Sequence, residues 1–493
     1  MLALVVATMC ACTGTSTPHA RGPAAGNDNP IVRENRMLGQ TDWYRSPSPT
    51  GVAGYATTSS VVAGGSLDIA VSTTSPTYSI DVYRIGWYGG AGARLLLSVH
   101  GLAGDDHGQW QPGTFGVQDC PTCTYDAGTG LLQPGWPVSH TLRVPADWVS
   151  GNFVLRITTS DALTGYIPFI VRDRRHSALM AVMPVNTYEA YNVWGGKSLY
   201  SNSFGPRTVG VGDNAPAALK VSFERPFANY QNDVRIDYET VRFLEKEGYD
   251  VGYASSVDLD SDPRLLLGHR VFLSIGHDEY WSWNMRDAVE SARDHGIDAA
   301  FLSGNDIYWQ VRYEPGVNQQ DHEILVCYRD ASIDPLSAAD PSRTTVRWVD
   351  PPVRRAQDSL TGSVYTGNSL ARPTSWIVAS TAPAWLLEGT GLEAGSAVPG
   401  LVGLECDGVV TKTSHPFGWQ SSHPPPSLVP VSQSPVVTAL GWSLVCNSVY
   451  YRADGGGQVF SAGTRAWQDF LEGPDANPAV IRMTENVFRR LMA

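Results

Sequence analysis

A change of hydrophobic rhythm near residue 172 constrains this chain more than any other feature. Before it, apolar residues alternate over short runs: Ser66 to Val71 (SLDIAV), Tyr78 to Tyr83 (YSIDVY), His140 to Val144, Gly151 to Ile157 (GNFVLRI) and Tyr166 to Val171. A period of two puts every second side chain on one face of a strand. Such runs are divided by turns like the four-glycine stretch Gly86 to Gly92, and no helical pattern lies between them. They predict a β-sandwich over residues 31–172. A charged break, Arg172 to His176 (RDRRH), follows. Beyond it, Ala178–Val182, Val271–Ile275 and Ala299–Leu302 read as buried strands. Helical patterns separate them. Ile236, Thr240, Phe243 and Leu244 share one face, and so do Met285, Ala288, Val289 and Ala292. Gly248 and Gly296 fit positions just past a helix end. Strand, helix, strand predicts parallel βαβ units, so residues 176–493 are expected to form a doubly wound, mostly parallel α/β domain. Leu401–Leu404 and Gln458–Ser461 add strands, and Pro478–Met492 a closing helix. Residues 311–400 read as an insertion.

Charge narrows the partners. Lys and Arg number 35 against 48 Asp and Glu, a net −13 with no basic run. That excludes a nucleic-acid binder and an electrostatic membrane binder. No internal run reaches the ~18 apolar residues that a spanning helix needs. The N-terminus differs: Leu2 to Met9 is a short apolar run, followed by Cys10-Ala11-Cys12 and a Thr/Ser/Pro/Gly tract. Residues 1–30 are read as an export signal and linker, of lipoprotein type with Cys12 or Cys10 lipidated. The mature chain is then extracellular or a cell-surface lipoprotein, touching membrane only through that anchor. In such a compartment Cys120 and Cys123 predict a local disulfide, and Cys406 with Cys446 a candidate second bridge.

Ligands of open α/β sheets bind beyond the carboxyl ends of the strands. Two such ends are rich in polar groups: Gly276-His277-Asp278-Glu279-Tyr280-Trp281 and Ser303-Gly304-Asn305-Asp306. A third cluster, Asn186 to Tyr200, mixes aromatics, amides and a double glycine in an irregular loop. No nucleophile elbow, phosphate loop, H-E-x-x-H or dinucleotide fingerprint occurs.

These segments together resemble the large (beta) subunit of N,N-dimethylformamidase and its homologues. The matching phrases are Val82 to Gly90 (VYRIGWYGG), Thr187 to Tyr200, Ser222 to Pro226 (SFERP), Leu244 to Asp250 (LEKEGYD), Gly276 to Ser282 (GHDEYWS) and Ser303-Gly304-Asn305. The resemblance implies a C-terminal domain like class I glutamine amidotransferases without their cysteine, and an N-terminal β-sandwich. It also implies amide hydrolysis with one iron, as Fe³⁺, per chain, held by two tyrosines and a glutamate. Glu279 matches the carboxylate ligand and Tyr191 one tyrosine. The second should follow Arg225-Pro226, where Phe227 now stands; Tyr230 is the expected ligand, with Tyr238 as the alternative. His277 matches the neighbouring histidine, Asn305 a polar active-site residue and Glu405 a catalytic carboxylate. The related enzyme works with a small second subunit, so such a subunit or a homo-oligomer is an expected partner, with a small amide as substrate.

That chemistry is coherent. Phenolate and carboxylate are hard donors suited to Fe³⁺. A competing reading keeps the fold without catalysis: a carbohydrate- or cell-wall-associated binding protein using a Trp/Tyr-rich cleft.

Overall fold

The computed structural model describes residues 28–172, 174–200, 217–410, 423–438 and 441–493. The segment read as an export signal therefore lies almost wholly outside the described residues.

The first part is two facing sheets. One contains Val52–Ala56, Ser66–Thr73 and His140–Arg143; the other runs Ser60–Val62, Thr164–Arg172, Gly151–Thr159, Thr77–Ile85, Ala93–Ala103. All neighbours are antiparallel except the short Ser60–Val62 strand. The alternation seen in the sequence fills the space between them: Leu67, Ile69 and Val71 meet Ile80, Val82, Phe153, Leu155 and Ile157. Cys120 and Cys123 are bonded in the connection between Ala93–Ala103 and His140–Arg143. One expectation changes at the start. Residues 30–35 form a helix, because Asn29 caps it through the Val32 amide and Pro30 opens it.

The second part centres on a seven-stranded sheet. Its order is Val251–Ser255, Leu179–Met183, Val271–Ser274, Asp298–Phe301, Gln458–Ser461, Val449–Arg452, Val429–Pro430. The first five run parallel, and Val449–Arg452 is antiparallel to the neighbour on either side. A parallel sheet must be covered on both faces, and this one is. Leu179, Ala181 and Met183 pack with helices Tyr238–Lys246 and Pro478–Leu491, while Met180 and Val182 pack with Ser256–Ser261 and Trp283–Asp294.

The whole is a strand-rich mixed α/β protein, more composite than a single wound sheet. A four-stranded sheet (Lys220–Ser222, Ile324–Val326, Trp309–Glu314, Tyr280–Ser282) sits beside the main one. The stretch read as an insertion supplies part of it. It also supplies Val364–Ile377, which pairs with Ala397–Gly408 as a bulged antiparallel ribbon. The expected strand at 401–404 belongs to that ribbon and not to the main sheet. Cys406 is bonded to Cys446 of the neighbouring hairpin.

Candidate functional site

Three parallel strands deliver their carboxyl ends to one place. Val271–Ser274 leads into 276–282, Asp298–Phe301 into 303–306, and Gln458–Ser461 into 462–465. The turn after the first strand needs glycine. Gly276 has φ 72°, and a Cβ there would lie 2.1 Å from Asp237 Oδ2. Helix Val185–Tyr191 then holds the loop from one side. Asn186 donates to the Tyr280 carbonyl (3.0 Å), and Thr187 Oγ1 accepts from the Glu279 amide (3.1 Å). The end of that helix brings Tyr191, whose hydroxyl donates to Glu279 Oε2 at 2.7 Å.

His277 stands between two carboxylates. Its Nε2 is 2.8 Å from Glu405 Oε2 and 3.7 Å from Glu279 Oε2. The shorter approach is an ion pair that holds Nε2 and Glu405 Oε2 against each other, whereas Asn305 Oδ1 is buried without a hydrogen-bond partner. The Asn305 side chain also favours the charged form of Glu405, and its backbone N–H donates to Asp407 Oδ1 at 2.8 Å. His277, Glu279 and Asn305 are buried, whereas Glu405 and Tyr191 are partly exposed.

Electrostatics separate the two glutamates. Burial pushes Glu279 up to about 7 against the pull of His277. Burial also opposes charge on Glu405, but the facing imidazole more than offsets it and holds that carboxyl below its usual value. His277 is lifted for the reciprocal reason: desolvation lowers it, and Glu405 outweighs that. Burial raises the Tyr191 phenol far up, with Glu279 adding to it. A carboxylate held charged beside one held near neutrality is the pattern of an acid–base pair.

Beneath lies a further acidic layer that sequence reasoning did not assign. Burial lifts Asp278 and Asp407 to about 7 and Asp306 well above the carboxylate range. Both oxygens of Asp306 are buried without a partner. Backbone strain gathers here too. Asn305 (φ 60°), Ile307 (φ 57°) and Leu404 (φ 60°) are left-handed, and a β-branched residue is rarely so. Tyr200 stacks near Tyr191 with ring centroids 4.9 Å apart, and Tyr365 feels the charges of Glu405 and Glu279. Arg465 adds a positive charge to His277, Glu279 and Glu405. Its place just past a strand end was the available signal.

Tyr230 is not brought to this cluster. Its hydroxyl pairs with that of Tyr238 (3.1 Å), and its ring stacks on Tyr166 of the sandwich (4.9 Å). Tyr238, the alternative, is committed to the same pair. The reason is local: Phe227 packs into apolar surroundings with Tyr188 and Tyr238, and the chain then turns into a short helix, Tyr230–Asp233, that faces the sandwich. The phrase before it is structural. Arg225 is buried against Glu189 and donates to the Glu189 carbonyl (2.8 Å), tying the loop down.

Among the described residues, no cluster of three His, Cys, Asp or Glu forms a ready metal site. The donor set fits a hard cation in part. The Tyr191 and Glu279 oxygens converge, and the unpartnered Asn305 Oδ1 beside the His277–Glu405 pair suits an ion with its water or substrate. The second phenol is missing.

The fold and site define a class: a strand-rich α/β protein with a phenol, an imidazole and two unlike carboxylates gathered at parallel strand ends. A family model described as N,N-dimethylformamidase beta subunit-like, C-terminal, matches residues 79–479, and the chain belongs to that family. The N,N-dimethylformamidase beta subunit of Alcaligenes sp. is 21% identical over 217 residues. The match covers 36% of this chain and spans 28% of that relative's length. Among solved structures, domain 1 of VCBP3 from Branchiostoma floridae matches 26% of this chain and 98% of its own, at 11% identity and TM-score 0.15. A Paenibacillus sp. cycloisomaltooligosaccharide glucanotransferase complexed with cycloisomaltoheptaose matches 60% and 35%, at 8% identity and TM-score 0.16. Scores that low carry no argument.

Proposed function

We propose that this chain hydrolyses an amide C–N bond, with one Fe³⁺ held by Tyr191 and Glu279. The observation that carries the reading is the 2.7 Å approach of the Tyr191 hydroxyl to Glu279, with His277 and Glu405 alongside. Family membership supports the amide chemistry. Such an ion supplies Lewis acidity, polarising the amide carbonyl and acidifying water. The chain's own residues do the rest. Glu405, held ionised by His277, takes the proton of the attacking water. His277 shares that proton and returns it to the leaving amine. Asn305 has two amide N–H groups; one steadies Glu405 and the other donates to the developing oxyanion.

The covered parallel sheet supports kinship with class I glutamine amidotransferases. The two disulfides support an oxidising compartment, in line with export and a cell-surface or extracellular location. The relative's being a beta subunit supports a second subunit as partner.

Iron content and the visible spectrum test the site. Protein grown with iron should carry about one ion and a phenolate charge-transfer band. Glu279→Ala should lose iron, colour and amidase activity together while staying folded. The loss of metal affinity should be at least the about 10–100-fold known for outer-shell changes. His277→Ala should keep iron and lose rate. Wild-type protein without iron, or full colour in Glu279→Ala, sinks the proposal.

A further inference from the structure

The third strand end holds a residue the proposed chemistry does not use. Gln458–Ser461 lies parallel to Asp298–Phe301, so residues 462–465 emerge on the same edge as 302–305. Their position is clamped from two sides. The Thr464 amide donates to the Ser303 carbonyl (3.1 Å), and Thr464 bridges to Cys406, the residue after Glu405. The fit is close and favours glycine at 304: a Cβ there would stand 3.1 Å from the Arg465 nitrogen. Arg465 thus begins between the loop of Asn305 and the strand of Glu405.

Its side chain is partly exposed. Its charge acts on His277, Glu279, Glu405, Asp237 and Asp469. Yet among the described residues it makes no ion pair within 4.0 Å, unlike Arg84, Arg225, Arg286 and Arg312, all buried and paired. One of these acids, Asp237, already accepts the Tyr188 hydroxyl at 2.6 Å. A partly exposed guanidinium with no ion pair of its own keeps its donors open to an added anion. Its planar fork matches a carboxylate in bidentate fashion.

We propose that Arg465 is the specificity residue of this site and binds a carboxylate carried by the substrate, so the amides taken are acidic ones of the N-acyl amino acid class. This rests on the amide-hydrolase reading above. The attacked carbonyl lies at Tyr191, Glu279 and Asn305, and the substrate carboxylate lies toward residue 465.

Calorimetric titration with N-acetylalanine and with its methyl ester tests this, because binding needs no turnover. Release of alanine is followed separately. Wild-type protein should bind the acid about 10- to 100-fold more tightly than the ester, the worth of a charge-assisted bidentate pair. R465Q should bring the acid level with the ester. R465K, with charge but no fork, should fall between, and thermal melts should show all three folded. Acid binding that depends on Arg465 without alanine release upholds the carboxylate site and sinks the hydrolase reading for this amide. Equal binding of acid and ester by wild-type protein, no binding of the acid, or acid binding unchanged in R465Q overturns the inference, whatever the hydrolase result.

Discussion

Two buried charge clusters sit in this molecule, and they are built on opposite principles. At the seam between sandwich and α/β domain, Arg84 and Glu245 pair with no exposure of either side chain. Arg84 Nη1 and Nη2 each reach a Glu245 oxygen at 2.8 Å, and Nη2 also donates to the Ser150 carbonyl (2.7 Å). The Asn35 amide (2.7 Å) and the Tyr253 hydroxyl (3.2 Å) complete Glu245. At the strand ends, His277 and Glu405 face each other (2.8 Å), but Asn305 Oδ1 and both Asp306 oxygens are buried without partners. Folding alone disfavours the second arrangement, because an unmade buried hydrogen bond costs ~1–3 kcal/mol. The first cluster holds the domains together, and the second is held ready for something that completes it.

Breaking the seam gives the largest expected effect. Arg84→Met leaves Glu245 buried and uncompensated and should cost about 3–5 kcal/mol in denaturant unfolding. Replacing both residues by apolar ones should recover most of that. A loss below ~1 kcal/mol in Arg84→Met would mean that the seam does not hold the domains as argued.

Acidity separates the clusters next. In chelator-treated protein, Asp278, Glu279 and Asp407 titrate near 7 in the fold. In the unfolded chain they titrate near 4. A folded pKa raised in this way contributes stability that is complete below the unfolded pKa and is lost as pH rises through the folded one. The raised His277 acts in the same sense. Stability should therefore fall from about pH 4 to about pH 7, with His277 and Asp306 extending the fall above that. Each group adds at most about 1.4 kcal/mol per pH unit. Asp407→Asn should make the fall shallower. The seam contributes no such slope through Arg84, whose charge persists throughout the range. Stability flat between pH 4 and 7, or a fall unchanged in Asp407→Asn, would remove the contrast.

Much of this was legible beforehand, for a physical reason. A strand's end is marked where a buried run meets polar residues, and that boundary placed His277, Glu279 and Asn305. The period of two placed the sandwich core in the same way. Glu405 came through resemblance, since it lies on a bulged ribbon whose register no periodicity gives. Arg465 follows a strand end too, but a single arginine beside Gly463 and Thr464 looks like any surface turn. Its lack of a counter-ion appears only in three dimensions. Tyr230 went astray because counting from Arg225-Pro226 cannot show which way the chain turns after Phe227.

That misplaced tyrosine supplies the smallest effect and the sharpest check on where the site ends. The Tyr230 hydroxyl touches the Tyr238 hydroxyl, and its ring stacks on Tyr166. It therefore belongs with the structural part of the molecule, although the resemblance assigns it to the metal. Tyr230→Phe keeps the stacking and deletes one hydrogen bond, so it should cost about 1 kcal/mol of stability. Iron content and the charge-transfer band should match wild type, because Tyr191 is the phenol beside Glu279. A variant that unfolds as the wild type does but loses colour would return Tyr230 to the site and overturn the boundary drawn between the two clusters.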